Sequence, residues 1–404
     1  MPTFNVRDNT NVKYDSPQTL FPVIYNGKLY VIWHISPKTI ICNVDDDIYT
    51  EITETEDPDA LSLTTRLIDF KMVTKSTYIL RCLHIRSGEL VIDRLEIDLD
   101  TPTATRTEEK TFSLSWISTW GEMAHSVVIP PYLWLAPNEE DGYVHYVDLR
   151  DGSDISFDTG FGSYFARFSS KYIPYKDDIY MLFGRHLAGD PHYLLKLYSQ
   201  TVTSLGITTG GGSPRPQIGN LSWFYDDIII PTVNSGVVNV DNDIALLDES
   251  FNQIATIDVG ALTGFTYNDL VTMGINIFAK KRDGSKYYTI LGSENNTGFD
   301  ATEGKIIYVE LDNAFNVLSS QVLLDIDEHA GVGLGADYSD FYCRPILIVP
   351  RKKIYVLGRR EISGKGFIIE IDVSDIWDDV EFNKNLWVLY GKNPTSLSLT
   401  VTPL

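Results

Sequence analysis

The sequence predicts an all-β chain, a seven-bladed β-propeller of four-stranded antiparallel sheets. Three observations predict it. Apolar segments ending in a turn-forming Asp recur at Asp45, Asp98, Asp148, Asp248, Asp312 and Asp372, with Ser199 at the corresponding place before Asp248, in steps of 49 to 64 residues. Self-similarity at such a period marks a repeat architecture. The 23 Tyr, 18 Phe and 7 Trp suit strands better than helices. Helix start and stop signals are nearly absent. Seven four-stranded units use all 404 residues. One propeller is therefore expected over 16–391, with 1–15 a strand or extension closing the ring and 392–404 a strand-like tail. Six or eight blades, or two packed sandwiches, also remain open on spacing alone.

Taken in order, the first unit reads as four strands: PVIY, KLYVIWHI, TIICNVD and IYTEITE, the first pair joined by Asn26-Gly27, the strongest short hairpin signal. The order recurs in STYILRCLHI, ELVIDRLEIDLD and ATRTEEKTFSL; in YLWLAP, GYVHYVDLRD and SDISFDTG; and in DIYMLFG, HYLLKLYS and TVTSLGI. Later come NDIALLDES with NQIATIDV, then KYYTILG, GKIIYVELD and NVLSSQVLL, and finally KIYVLG, GFIIEIDVSD and LWVLYG. TFNV, near the start, is placed as the outermost strand of the last blade, and the alternation in SLSLTVTPL makes the tail a candidate strand. Ser374, with the acidic residues after it, reads as the cap of one short helix or turn over 374–385. The marker Asp residues are expected to be structural, each accepting from a backbone N–H two residues on.

The stretch KIYVLGRREISGKGFIIEIDVSD resembles a degenerate kelch repeat, with an apolar strand ending in Gly, a loop, and a strand closing on Asp. It lacks that family's double glycine. The resemblance extends over all seven units as strand order, implies the propeller, and carries over no functional residue.

A formal charge of −22 repels phosphate backbones and anionic membranes, so nucleic acid is not an expected partner. Cys42, Cys82 and Cys343 are too few and too widely separated for a disulfide framework or a thiolate zinc site. The start lacks a signal-peptide pattern and no apolar run approaches the ~18 residues of a membrane span. A soluble protein without membrane insertion is expected, cytoplasmic or part of a particle assembled there. The sequons at Asn220 and Asn295 read as chance occurrences in loops.

Loop length separates two faces. The a–b and c–d turns are tight, whereas Asp57 to Thr65, Thr208 to Ile218, Asn234 to Asp243, Leu262 to Asn268, Ser293 to Gly304 and Asp325 to Asp340 are long. The long-loop face is acidic, which implies a basic partner surface or a cation. Its densest stretch, DIDEHAGVGLGADYSD, supplies the candidate binding residues Asp325, Asp327, Glu328, His329, Asp337 and Asp340. Asp325, Asp327 and Glu328 are the candidate calcium ligands, although the stretch lacks the register of a calcium loop. No other cofactor is expected. Trp120, in ISTWGEM, is the candidate exposed aromatic contact. His34, His84 and His145 fall inside strands as packing residues; His125, His186, His192 and His329 lie nearer loops and are the acid–base candidates.

No catalytic motif is found. The reading is a non-enzymatic binding or structural protein that docks a protein or glycan partner through the long-loop face. A virion or surface-assembly component, such as a spike or fibre head, is the alternative in the same class. A propeller hydrolase or lyase acting on a glycan or lactone is the alternative in another. Partner identity and oligomeric state are open.

Overall fold

The computed structural model describes residues 1–9, 21–35, 38–53, 66–86, 88–114, 127–129, 131–134, 143–160, 172–175, 178–184, 191–208, 222–224, 227–233, 242–247, 252–265, 268–270, 276–296, 301–326, 344–359, 366–382, 387–389 and 399–400. Among them the chain is all-β, with the strand order of propeller blades in seven antiparallel sheets. β1 (Thr3–Asn9) opens the chain. The first sheet is β2 (Phe21–Tyr25), β3 (Lys28–Ile35), β4 (Lys38–Asn43) and β5 (Ile48–Thr53), in that order. The second is β6 (Arg66–Met72), β7 (Thr77–Arg86), β8 (Glu89–Asp98) and β9 (Thr103–Ser113), and the third β10 (Val127–Ile129), β11 (Tyr132–Trp134), β12 (Tyr143–Asp148) and β13 (Asp154–Asp158). The fourth is β14 (Tyr172–Tyr175), β15 (Asp178–Gly184), β16 (Pro191–Lys196) and β17 (Thr201–Thr208), and the fifth β18 (Ser222–Phe224), β19 (Asp227–Val233), β20 (Asn242–Leu247) and β21 (Gln253–Ile257).

The last two sheets exceed four strands. The sixth contains β22 (Asn268–Leu270), β23 (Asn276–Lys281), β24 (Lys286–Asn296), β25 (Ala301–Asp312) and β26 (Val317–Ile326), joined by β30 (Val380–Phe382) on β23. The seventh contains β27 (Arg344–Ile348), β28 (Lys353–Arg359) and β29 (Gly366–Asp372), with β1 beyond β29 and β31 (Trp387–Leu389) and β32 (Leu399–Thr400) beyond β27. By compactness the chain separates into two units. Thr10–Ser163 with Leu389–Leu399 holds the first three sheets; Met1–Asn9, Tyr164–Val388 and Thr400–Leu404 hold the rest.

Both faces of the sixth sheet are apolar, as its broken alternation implies. Tyr288, Ile290, Ile306 and Tyr308 pack with Ile354, Val356 and Ile369 of the seventh sheet, while Tyr287, Leu291, Ile307 and Val309 pack with Ile257 of the fifth. In the other unit, Leu83, Leu90 and Ile92 pack with Leu133 and Val147. Each such fully buried aliphatic side chain contributes roughly 1.5–3 kcal/mol. The turns follow residue chemistry. Asn26 and Gly27 take φ of 48° and 76°, the paired positive values that a two-residue hairpin needs.

The marker positions have a common construction. Asp98, Asp148, Asp312 and Asp372 accept from the backbone N–H of Asp100, Arg150, Ala314 and Ser374, each two residues on, at 2.8–2.9 Å. In three of the four cases the following residue also donates back into its hairpin: Leu99 to Ser76, Leu149 to Pro131 and Val373 to Lys352. Val44 does the same to Leu29, so the first unit's marker is Asn43 rather than Asp45. Asn43 Oδ1 accepts from Asp46 N at 3.1 Å, while Asp45 instead accepts from Leu29 N at 2.8 Å. Asp248 lies outside the described residues, and the Ser199 hydroxyl meets Thr201 Oγ1 at 3.1 Å.

Several expectations need correcting. TFNV does pair as read, β1 lying beside β29 with Thr3 opposite Asp372 and Asn9 opposite Gly366, so LWVLYG is not the strand after β29 but contributes β31 on the opposite edge. Of the short helix or turn read from Ser374 onward the turn is present, a single 3-10 turn over Ser374–Ile376, but Ser374 is not its cap and has its own N–H held by Asp372. A helix was missed. α1 (Val259–Thr263) is too short for periodicity to show, but Asp258 caps it through Ala261 N at 2.8 Å and Gly264, at φ 73°, ends it. The described parts of the stretch from Ser293 to Gly304 are strand, with Glu294 opposite Gly304 and Asn295 opposite Glu303, so Asn295 is not a loop residue. Asp243 lies within β20, opposite Thr232. Among the described residues no helix is long and apolar enough to cross a membrane.

Candidate binding face and buried polar clusters

The antiparallel order puts the a–b and c–d turns at one end of each sheet and the longer connections at the other. At the tight end several carboxylates are occupied by turn geometry. Asp148 accepts from Arg150 through both backbone and guanidinium, at 2.9 Å for N and Nε, and this holds its carboxyl below the usual range. Asp283 is bound by Lys281 at 2.8 Å and by the Ser285 hydroxyl and amide, and its carboxyl is likewise depressed. Such Asx turns fix the chain and explain the recurring acids without a ligand.

At the opposite end of the sixth sheet, Asp325 is exposed near the end of β26. Its register partner is Lys305 on β25. The Lys305 ammonium is engaged elsewhere: Nζ donates to the Thr263 carbonyl at 2.8 Å and lies 4.6 Å from the Phe265 ring centre. A cation at the C-terminal end of α1 complements the helix carbonyls, which is why the lysine faces the helix. Asp325 is therefore left as an exposed carboxylate at the start of the acidic stretch. Asp327, Glu328, His329, Asp337, Asp340 and Trp120 lie outside the described residues, as do His125 and His186. Among the described residues no group of three or more His, Cys, Asp or Glu is placed to hold a metal ion. His192, read as nearer a loop, is the second residue of β16, opposite Gly184.

Sequence reasoning missed two buried polar clusters. On one face of the second sheet, His84 (β7) and Asp93 (β8) are both fully buried, with Nδ1 3.0 Å from Oδ2. Arg106 (β9) reaches the same oxygen with Nε at 2.8 Å. Burial alone would raise the Asp93 carboxyl, but the contacts from His84 and Arg106 outweigh it and hold the group below its usual value. The signal was available: Asp93 interrupts ELVIDRLEID at an inward position. In the sixth sheet the Tyr308 hydroxyl donates to Glu310 at 3.0 Å, and Lys286 reaches the other oxygen at 3.2 Å. Burial and the adjacent carboxylate push the Tyr308 phenol well up. Tyr308 also contacts the rings of Phe4 and Tyr288, with centres 4.8 and 6.4 Å away.

No family model matches the chain, and no curated protein matches it. Solved structures similar to it include a chain of a mitotic checkpoint complex, at 11% identity and TM-score 0.40 over 90% of this chain and 93% of that one. Dihydro-haem d1 dehydrogenase NirN shares 12% identity at TM-score 0.39, over 77% of this chain and 58% of that one. An apocarotenoid oxygenase from Synechocystis shares 11% identity at TM-score 0.40, over 76% and 71%. The chain thus spans rather more than half the length of the NirN chain.

Proposed function

We propose that this chain is a non-enzymatic binding or structural propeller, its sheets set radially as blades, that docks a protein or glycan partner through the acidic ends where the long connections lie. One observation supports the reading most. Asp98, Asp148, Asp283, Asp312 and Asp372, at tight-turn ends, are engaged in Asx turns or local ion pairs, whereas Asp325, at a long-connection end, is exposed while the neighbouring lysine is committed to α1. An exposed carboxylate next to Asp327 and Glu328 presents negative charge that a basic surface complements.

The test compares the native chain with a triple variant, Asp325→Asn, Asp327→Asn and Glu328→Gln, on immobilised oligo-lysine and oligo-arginine peptides and on a glycan array. The native chain is expected to bind the basic peptides with an affinity that falls as salt rises, and the variant to lose most of that dependence. Equal binding by both would remove this stretch from the account. A calcium-dependent rise in melting temperature lost in the variant would assign the stretch to cation binding instead. Turnover of a glycan or lactone by the native chain would replace docking with catalysis.

A further inference from the structure

Residues 374–389 follow a path that strand order alone does not require. After β29 the chain makes its 3-10 turn and crosses to the sixth sheet, where β30 pairs with β23 through Ala279–Phe382, Lys280–Glu381 and Lys281–Val380. Further along, β31 lies beside β27 in the seventh sheet. β30 lies on the side of β23 away from β24, and β31 on the side of β27 away from β28, so one short segment occupies both of those edges. It is fastened along the way. Arg282 N donates to the Asp379 carbonyl at 2.8 Å, and Val373 N to the Lys352 carbonyl at 3.0 Å. Lys352 Nζ lies 5.7 Å from the Trp377 ring centre. Ile376 and Val380 are buried in the core shared by the two sheets, with Trp377 and Phe382 packed against it.

We infer that 374–389 is a strap that closes the β23 edge of the sixth sheet and the β27 edge of the seventh against strand addition and couples their opening. An open edge offers unpaired backbone groups to any extended segment. Here neither edge is offered unless the strap lifts, and lifting it frees both.

Glu381→Pro tests this, because Glu381 is exposed and a proline there interrupts the ladder without leaving a cavity. Amide exchange at β23 and β27 is expected to rise together, by roughly tenfold or more, with β7 and β8 unchanged. A labelled peptide of sequence 374–391 is expected to bind the variant and not the native chain. If the proline variant fails to fold, the double variant Lys280→Cys/Glu381→Cys replaces it, in a chain also carrying Cys343→Ser. Oxidation is then expected to slow exchange at both β23 and β27, and reduction to restore it. Exchange that changes at β23 alone, that rises in all sheets alike, or peptide binding by the native chain would each overturn the inference.

Discussion

The second and sixth sheets each bury one carboxylate and surround it differently. Asp93 is wholly buried against two nitrogen bases, His84 and Arg106, and only Arg106 touches solvent. Glu310 is buried against a neutral phenol, and its cation, Lys286, is 39% exposed. In the second sheet the opposed charges are shut in together, so each member is costly to remove. In the sixth the cation can turn to water. Tyr308 bears the strain of that arrangement as a phenol that resists ionising.

The comparison breaks most visibly at Asp93. Asp93→Ala leaves Arg106 without its buried partner and is expected to cost about 3–5 kcal/mol in denaturant unfolding. Replacing His84, Asp93 and Arg106 together by Leu, Leu and Met is expected to recover most of that loss, because an apolar set needs no pairing. Recovery below half would show that the cluster contributes more than mutual neutralisation.

Acid sharpens the contrast. The Asp93 carboxyl is lower in the folded chain than the ~3.9 of an unfolded one, so its contribution is present above that value and is lost as pH falls through the folded pKa. Asp93→Asn should therefore flatten stability against pH below about 4, as read by urea midpoints. Glu310→Gln is expected to cost only about 1 kcal/mol, since the amide oxygen still accepts from Tyr308 and Lys286 is half-exposed. Alkali acts on the phenols. Burial raises Tyr78 and Tyr355 to about 12, and Tyr308 lies higher still. Their stabilising effect is complete below ~10, the unfolded value, and fades as pH rises toward the folded ones, so tyrosinate absorbance should appear together with unfolding. The smallest effect is expected at the exposed turns. Asp312→Ala loses bonds to Ala314 and Asn316 and should lower the melting temperature slightly, with no change in partner binding.

The strands and their order were legible because they are local: apolar runs between turn residues, with Asp98, Asp148, Asp312 and Asp372 holding the turns they announce. Asn43 was overlooked because it bonds as an Asp does while its neighbours Asp45 to Asp47 drew attention. The His84 cluster requires three strands in register, with Asp93 opposite Cys82 on one side and Glu108 on the other, and no single-strand pattern reveals which residues face each other. β30 was missed for the same reason: three residues, VEF, become a strand only because β23 is beside them. Of the candidate site, Asp325 alone falls among the described residues. The sequence located its charge and could not show that Lys305 faces away from it.

The pairing of β1 with β29 sets an order of events in time. Thr3–Asn9 is synthesised well before its partners, Gly366–Asp372, which lie hundreds of residues further along the chain. Contacts so distant along the chain form slowly, because a long loop must close before they contribute. Until Gly366–Asp372 has been made, β1, with its alternating Phe4 and Val6, has to wait for its partner strand. Refolding should therefore end with a late phase that reports Phe4 docking beside Tyr308, and truncation before Thr3 should leave that phase intact while truncation after Asn9 removes it.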